Sequence, residues 1–168
     1  EGKIRAIGLS NYSVEQMEAW RKVAPLHSNQ PQFNLFERQA QEEIIPYCRK
    51  NNIAVLAYSP LARGLLTGKF DEGTAFPEGD SRAADPKFKG EQFKRNLRII
   101  AELNKLAEAR SKTVAQLAVR WVLDQPGVTI ALWGARRPGQ ITAAAGATGW
   151  TLSADELVRI EKILAETA

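Results

Sequence analysis

The sequence predicts an α/β fold of about four βα units whose strands lie parallel in one sheet. Short apolar runs alternate with helical patterns along the 168 residues. Two of the runs, "IAVLAY" (53–58) and "VTIALW" (128–133), are continuous rather than alternating. Alternating β and α segments join parallel strands through right-handed crossovers, and continuous apolar runs suit parallel strands covered on both faces. Four such units are half of an eight-stranded barrel and also fit a small open sheet.

The first strand is expected in "IRAIGLS" (4–10) and the second in "NQPQFNL" (29–35), where Pro31 cannot donate to a ladder. Between them, "SVEQMEAWRKVA" opens with Ser13 and Gln16 at capping-box spacing, and Tyr12 and Met17 stand at hydrophobic-staple spacing. A helix in "QEEIIPYCRKNN" follows, its Pro46 tolerable only near the first turn or with a kink. After the third strand, residues 70–90 are rich in glycine, proline and charge, so a long loop with few apolar contacts is expected there, mobile without a ligand. "EQFKRNLRIIAELNKLAEAR" then reads as a helix with Ile99, Leu103, Leu106 and Ala107 on one face. In "TVAQLAVRWVL" the helical face is Val114, Leu117, Ala118, Trp121 and Val122. "RPGQITAAAGA" places a proline just inside a helix start. The closing helix, "LSADELVRIEKIL", has Ser153 and Glu156 as its capping box and Leu152 with Leu157 as a staple.

Composition narrows the function. A hydrophobic content of 44% is enough for a core, and a net charge of +4 is too weak to imply nucleic acid by itself. One cysteine, Cys48, excludes an internal disulfide, and with one histidine, His27, leaves too few ligands for a zinc site. No apolar run is long enough to span a membrane, and no signal peptide is visible, so a reducing cytoplasm is the expected setting. His27 precedes the second strand, at the end away from any ligand, and reads as a surface residue. Cys48, Trp20, Trp121 and Trp150 read as packing residues.

In βα folds, ligands sit at the carboxyl ends of the strands. Those ends read Ser10–Asn11, Asn34, Tyr58–Ser59 and Trp133–Gly134. "YSPLARGLLTGKF" (58–70) supplies an aromatic ring, glycines for close approach, and the cations Arg63 and Lys69. "WGARRPGQ" (133–140) adds two arginines and a helix start, whose N–H groups attract anions. Together the two loops fit a ligand with an aromatic head and several phosphates, such as a dinucleotide. A solvated arginine pair and an ordinary turn are the plainer readings of the same residues.

"GKIRAIGLSNY", "NQPQFNLFER", "AYSPLARGLLTGKF", "TVAQLAVRWVL" and "GARRPGQI" together resemble the aldo-keto reductases over essentially the whole chain, above all the branch with the potassium-channel beta subunits and bacterial stress-response reductases. The resemblance implies an eight-stranded (β/α)8 TIM barrel that binds NADP(H) at the strand C-termini and reduces aldehydes and ketones by hydride transfer. It implies that Ser10, Asn11 and Gln30 hydrogen-bond the nicotinamide carboxamide and that Tyr58 stacks on the nicotinamide ring. Ser59, Pro60, Leu61, Arg63, Gly64 and Lys69 would line the pyrophosphate path, and Arg82 would belong to a loop closing over the cofactor. Gly134, Arg136 and Gln140 would hold the 2′-phosphate end. The family often carries Glu where Gly139 stands, and Glu-Asn where Ala143–Ala144 stand.

A complete barrel of this kind needs about 300 residues, roughly twice this chain. Residues 1–168 therefore resemble the C-terminal half of one domain, with a long loop and an extra C-terminal helix. The family's catalytic tyrosine, lysine, aspartate and histidine belong to its first half, so the resemblance assigns no catalytic residue here, and the chain alone is expected to be inactive. The expected partners are a small carbonyl substrate and either the first half or a second copy to close the barrel, with no nucleic acid and no membrane. A non-catalytic nucleotide-binding regulatory module and a weak nucleic-acid binder are the alternative functions.

Overall fold

A computed structural model describes residues 1–135 and 137–166. Arg136, expected at the 2′-phosphate end, lies outside the described residues. The elements in order are β1 (Gly8–Ser10), α1 (Val14–Arg21), β2 (Ser28–Gln30), α2 (Ile44–Lys50), β3 (Ala54–Ala57), α3 (Ser81–Ala84), α4 (Gly90–Glu108), α5 (Val114–Asp124), β4 (Ile130–Ala131), α6 (Pro138–Ala145) and α7 (Ala154–Glu166).

All strand pairings are parallel, in the order β1-β2-β3-β4. Each strand is added beside its predecessor with no reversal, which is the progression of a barrel wall and not of a doubly wound sheet. Parallel pairing brings the carboxyl ends of all four strands to one edge.

The strands are shorter than the apolar runs that predict them, for local reasons. β2 stops at Gln30 because Pro31 follows, and a single bridge between Gln32 and Tyr58 continues the ladder. Phe33 and Leu35, expected in the strand, are buried in the core instead. At the other end Ile7 N–H donates to His27 Nδ1 at 3.0 Å, so an imidazole replaces a ladder carbonyl before β1 begins. His27 is exposed at the amino-terminal end of β2, as expected.

Cover on both sheet faces is corrected. Asn29, Val55 and Ala57 are buried towards the helices, whereas Ser10, Ser28, Gln30, Ala54, Leu56 and Ile130 alternate onto the other face and stay partly or fully exposed. That second face is the one a closed barrel turns inward.

The capping boxes form as their spacing dictates. Gln16 N–H donates to Ser13 Oγ while Gln16 Oε1 accepts from Ser13 N–H. Glu156 repeats this arrangement with Ser153. Pro46 is the third residue of α2, where its missing N–H removes no intrahelical bond. All five residues expected on the α5 face are buried, with Trp121 Phe33's neighbour at 5.3 Å between ring centroids. Cys48 is buried beside Met17, and burial pushes its thiol up to about 11.

Residues 70–90 correct the expectation of a loop with few apolar contacts. Phe70, Phe76 and Phe88 meet edge to face with centroids 5.2–6.0 Å apart, and Phe88 also contacts Phe93 of α4. Two short helical turns form here, α3 capped by Asp80 and a 3₁₀ turn (Pro86–Phe88) capped by Asp85. The phenylalanines supply the apolar contacts that the glycines and prolines between them obscure in the sequence.

Candidate functional site

The chain leaving β3 folds into a tight basic turn. Tyr58 N–H donates to Pro31 O and Phe33 N–H to Tyr58 O, which holds Tyr58 at the sheet's edge. Its hydroxyl reaches Gln32 Oε1 at 3.5 Å. Four of the next six residues have left-handed backbone: Ser59 (φ 54), Ala62 (φ 46), Arg63 (φ 55) and Gly64 (φ 93). Only the last is glycine, so the turn stores strain of the kind found at binding sites. Asn34, fully buried, fastens it: its Nδ2 donates to Ser59 O at 2.9 Å, and its Oδ1 accepts from the N–H groups of Phe36 and Glu37. A Cβ at Gly64 would already touch Lys69 Nζ at 3.4 Å, so glycine lets the lysine lie across the turn.

A groove of about 1120 Å³ opens over this turn. Tyr58, Ser59, Pro60, Leu61, Arg63, Gly64 and Lys69 line it from β3's end, Arg82 from α3, and Gly134 and Gln140 from beyond β4. Ten of the sequence-predicted residues thus share one groove. Ser10, Asn11 and Gln30 are not among its lining. They form a second cluster further along the same sheet edge, where Ser10 Oγ donates to Gln30 O at 3.0 Å and Asn11 N–H to the same carbonyl at 3.1 Å. Asn11 is held left-handed there (φ 59), and the buried Asn29 donates to Tyr12 O just beyond it.

The groove's cations are partly compensated. Arg63 Nη1 lies 3.2 Å from Asp85 Oδ2, and Asp85 also pairs with Lys87, which pairs with Glu37 at 2.8 Å. Arg82 binds Asp80 through two nitrogens and lies over the Phe70 and Phe76 rings, its ring-centroid distances 5.6 and 4.6 Å. The Asp80 hydrogen bonds raise the Arg82 pKa. Arg82 is thus held at the groove's rim by a carboxylate and two rings.

Sequence reasoning missed several lining residues. Leu132 lies in the groove beside Trp133, which the sequence places at the fourth strand's end, and its position in the same apolar run could have shown it. Asp85 and Lys87, which are not in the lining but pair with Arg63 and Glu37, could have been found only through the Asp-Pro cap, since those two partners come from other stretches of the sequence. Among the described residues no cluster of His, Cys, Asp and Glu could hold a metal ion, and no helix is long and apolar enough to cross a membrane.

Sequential parallel βα units with a basic groove at the carboxyl edge define the chain as part of a βα barrel. Residues 1–165 match the model of the Aldo/keto reductase family. Aldo-keto reductase YhdN of Bacillus subtilis is 53% identical over 167 residues, covering 99% of this chain and 50% of that protein. Aldo-keto reductase yakc [NADP(+)] of Schizosaccharomyces pombe is 34% identical over 139 residues, covering 81% of this chain and 41% of that protein. The solved structure of the glycerol dehydrogenase AKR11B4 from Gluconobacter oxydans superposes with a TM-score of 0.96 at 52% identity, covering 99% of this chain and 50% of that one. This chain belongs to the aldo/keto reductase family. It spans about half the length of the relatives it matches.

Proposed function

We propose that the chain is the cofactor-binding half of an NADP(H)-dependent oxidoreductase that reduces aldehydes or ketones. The observation that carries this reading is the groove: two aromatic side chains, three cations and a strained glycine-bearing turn share a single opening at the strands' carboxyl edge. Arg63, Lys69 and Arg82 give positive charge for phosphate oxygens, and Tyr58 presents a ring beside them. Gly134 faces open space, so backbone there can approach a ligand closely. A reduced nicotinamide held here would supply the hydride. Gln30, through its carbonyl, holds Ser10 and Asn11 where their polar groups can orient a carboxamide.

On this reading the proton donor for the carbonyl oxygen belongs to the family's first half, to which the resemblance assigns the catalytic residues, and the chain alone is inactive. The contact of the Tyr58 hydroxyl with an amide oxygen and not a charged group supports this. Residues 1–168 are accordingly one half of a barrel domain, which the first half or a second copy completes. A relative named for NADP(+) supports the choice of cofactor, and a reducing cytoplasm suits the one buried thiol.

The test is a titration of NADPH and NADH onto the complete gene product, read by tryptophan fluorescence and by carbonyl-dependent loss of nicotinamide absorbance. NADPH binding and oxidation, both weakened in Arg63→Ala and Lys69→Ala, are expected. Absence of nucleotide binding in the unaltered protein overturns the reading.

A further inference from the structure

Helix α6 forms one wall of the groove through Gln140 and Ala143, yet none of its eight residues is buried. Its attachment is polar. Gln116 Nε2 donates to Ala143 O at 2.9 Å, and the same side chain's Oε1 accepts from Thr113 N–H at 3.0 Å, closing the capping box of α5. Thr113 and Ala115, beside that cap, line the opposite part of the groove. One amide therefore bridges the two helices that flank this end of the opening. Just past α6, Gly146 leaves room for it: a Cβ there would lie 2.0 Å from Gln116 Nε2. Two further links, Trp150 Nε1 to Gly146 O at 2.9 Å and Arg120 Nη1 to Ala147 O at 3.4 Å, attach the chain beyond the helix.

We propose that Gln116 is a positioning residue that fixes α6 against the start of α5 and so sets the groove's grip on the phosphorylated ribose of a nucleotide. This rests on the nucleotide reading above. Gln116 touches no ligand in this scheme. It acts through the position of Gln140 and Ala143.

Two substitutions separate this role from general stability. Gln116→Glu keeps an oxygen for Thr113 N–H, and so keeps the cap, but replaces the donor to Ala143 O with a second acceptor. Gly146→Ala leaves Gln116 in place and pushes its amide away. In the complete gene product, quenching of Trp133 in the groove can report two probes, adenosine 2′,5′-bisphosphate and nicotinamide mononucleotide. Each variant should bind the bisphosphate about tenfold more weakly, the scale of one lost hydrogen bond. Binding of the mononucleotide should stay within about twofold and the melting temperature nearly constant, as for a distant site. The double variant should be no weaker than the worse single one, because both remove the same contact. A Gln116→Glu protein that binds the bisphosphate as the parent does, or that loses both probes equally, overturns the role of Gln116 alone. A parent protein that binds neither probe overturns the nucleotide reading and this inference with it.

Discussion

Glu156 shows how much one side chain can contribute at the residue scale. Its carboxylate accepts two bonds from the Arg110 guanidinium at 2.6 Å and one from Ser153 N–H at 2.7 Å. The Arg110 pairing, first among the causes, holds its pKa down from an ordinary 4.5 to about 2. A depressed folded-state value means the ionised form favours the fold. The contribution is complete above about 4.5 and is lost as the pH falls towards 2. Urea midpoints measured across that range should fall less steeply for Glu156→Gln than for the parent, with the variant already weaker at neutral pH. Parallel acid limbs for the two proteins would contradict the assignment. The Ser153–Glu156 box was legible from spacing alone. Its partner Arg110 was not, because the two are 46 residues apart and no local rule links them. The same holds at the site. Tyr58, Arg63 and Lys69 could be read from one short stretch, whereas Asn34, which follows β2, and Asp85, 22 residues beyond Arg63, hold that stretch in place from outside it.

At the scale of elements, the helices were more legible than the strands. Several helices announce themselves through a cap or a repeating apolar face, and α5 shows both, with Thr113 as its cap and all five residues of the expected face buried. The strands are two to four residues long, too short for a period to declare itself, and their runs extend into turns and core. The segment before α4 was misread because its phenylalanines are spread over 24 positions from Phe70 to Phe93 and converge only in three dimensions. Phe88 is central to that cluster and nearly buried. Phe88→Ala should destabilise the segment by roughly 3–5 kcal/mol, the usual range for removing a buried phenylalanine. Amide exchange should then quicken over residues 71–89 while β3 and α2 keep their protection. Unchanged exchange in 71–89 would show that the ion pairs of Asp85 and Lys87 hold the segment unaided.

The whole molecule is one wall of a barrel with two outer strands. Among the described residues β1 and β4 each have a strand neighbour on one side only, and Ile130 on the inward face is 44% exposed. Unpaired edges and apolar surface favour association. Expressed as residues 1–168 alone, the chain should sediment as a dimer or larger species at micromolar concentration. A stable monomer over a dilution series would contradict this. The α/β class was legible from the alternation of elements, whereas the barrel was implied by the family resemblance, since alternation alone also fits a small open sheet. That the inward face lies open followed from half a barrel and not from the strands themselves, since their apolar character is the same whether the barrel is closed or cut.

The left-handed backbone at Ser59, Ala62 and Arg63 bears on how the protein can evolve. Each such residue costs on the order of 1 kcal/mol where glycine would cost nothing. Heritable variation therefore pulls in two directions at these positions: glycine raises heat resistance, while Arg63 retains a cation at the groove. Libraries randomised at 62 and 63 and selected for thermal survival alone should enrich glycine at both. Libraries selected for turnover should enrich it at 62 and return arginine at 63. Arginine recovered at 63 under heat alone would mean that its pairing with Asp85 outweighs the strain, and that the turn owes its sequence to folding and not to a ligand.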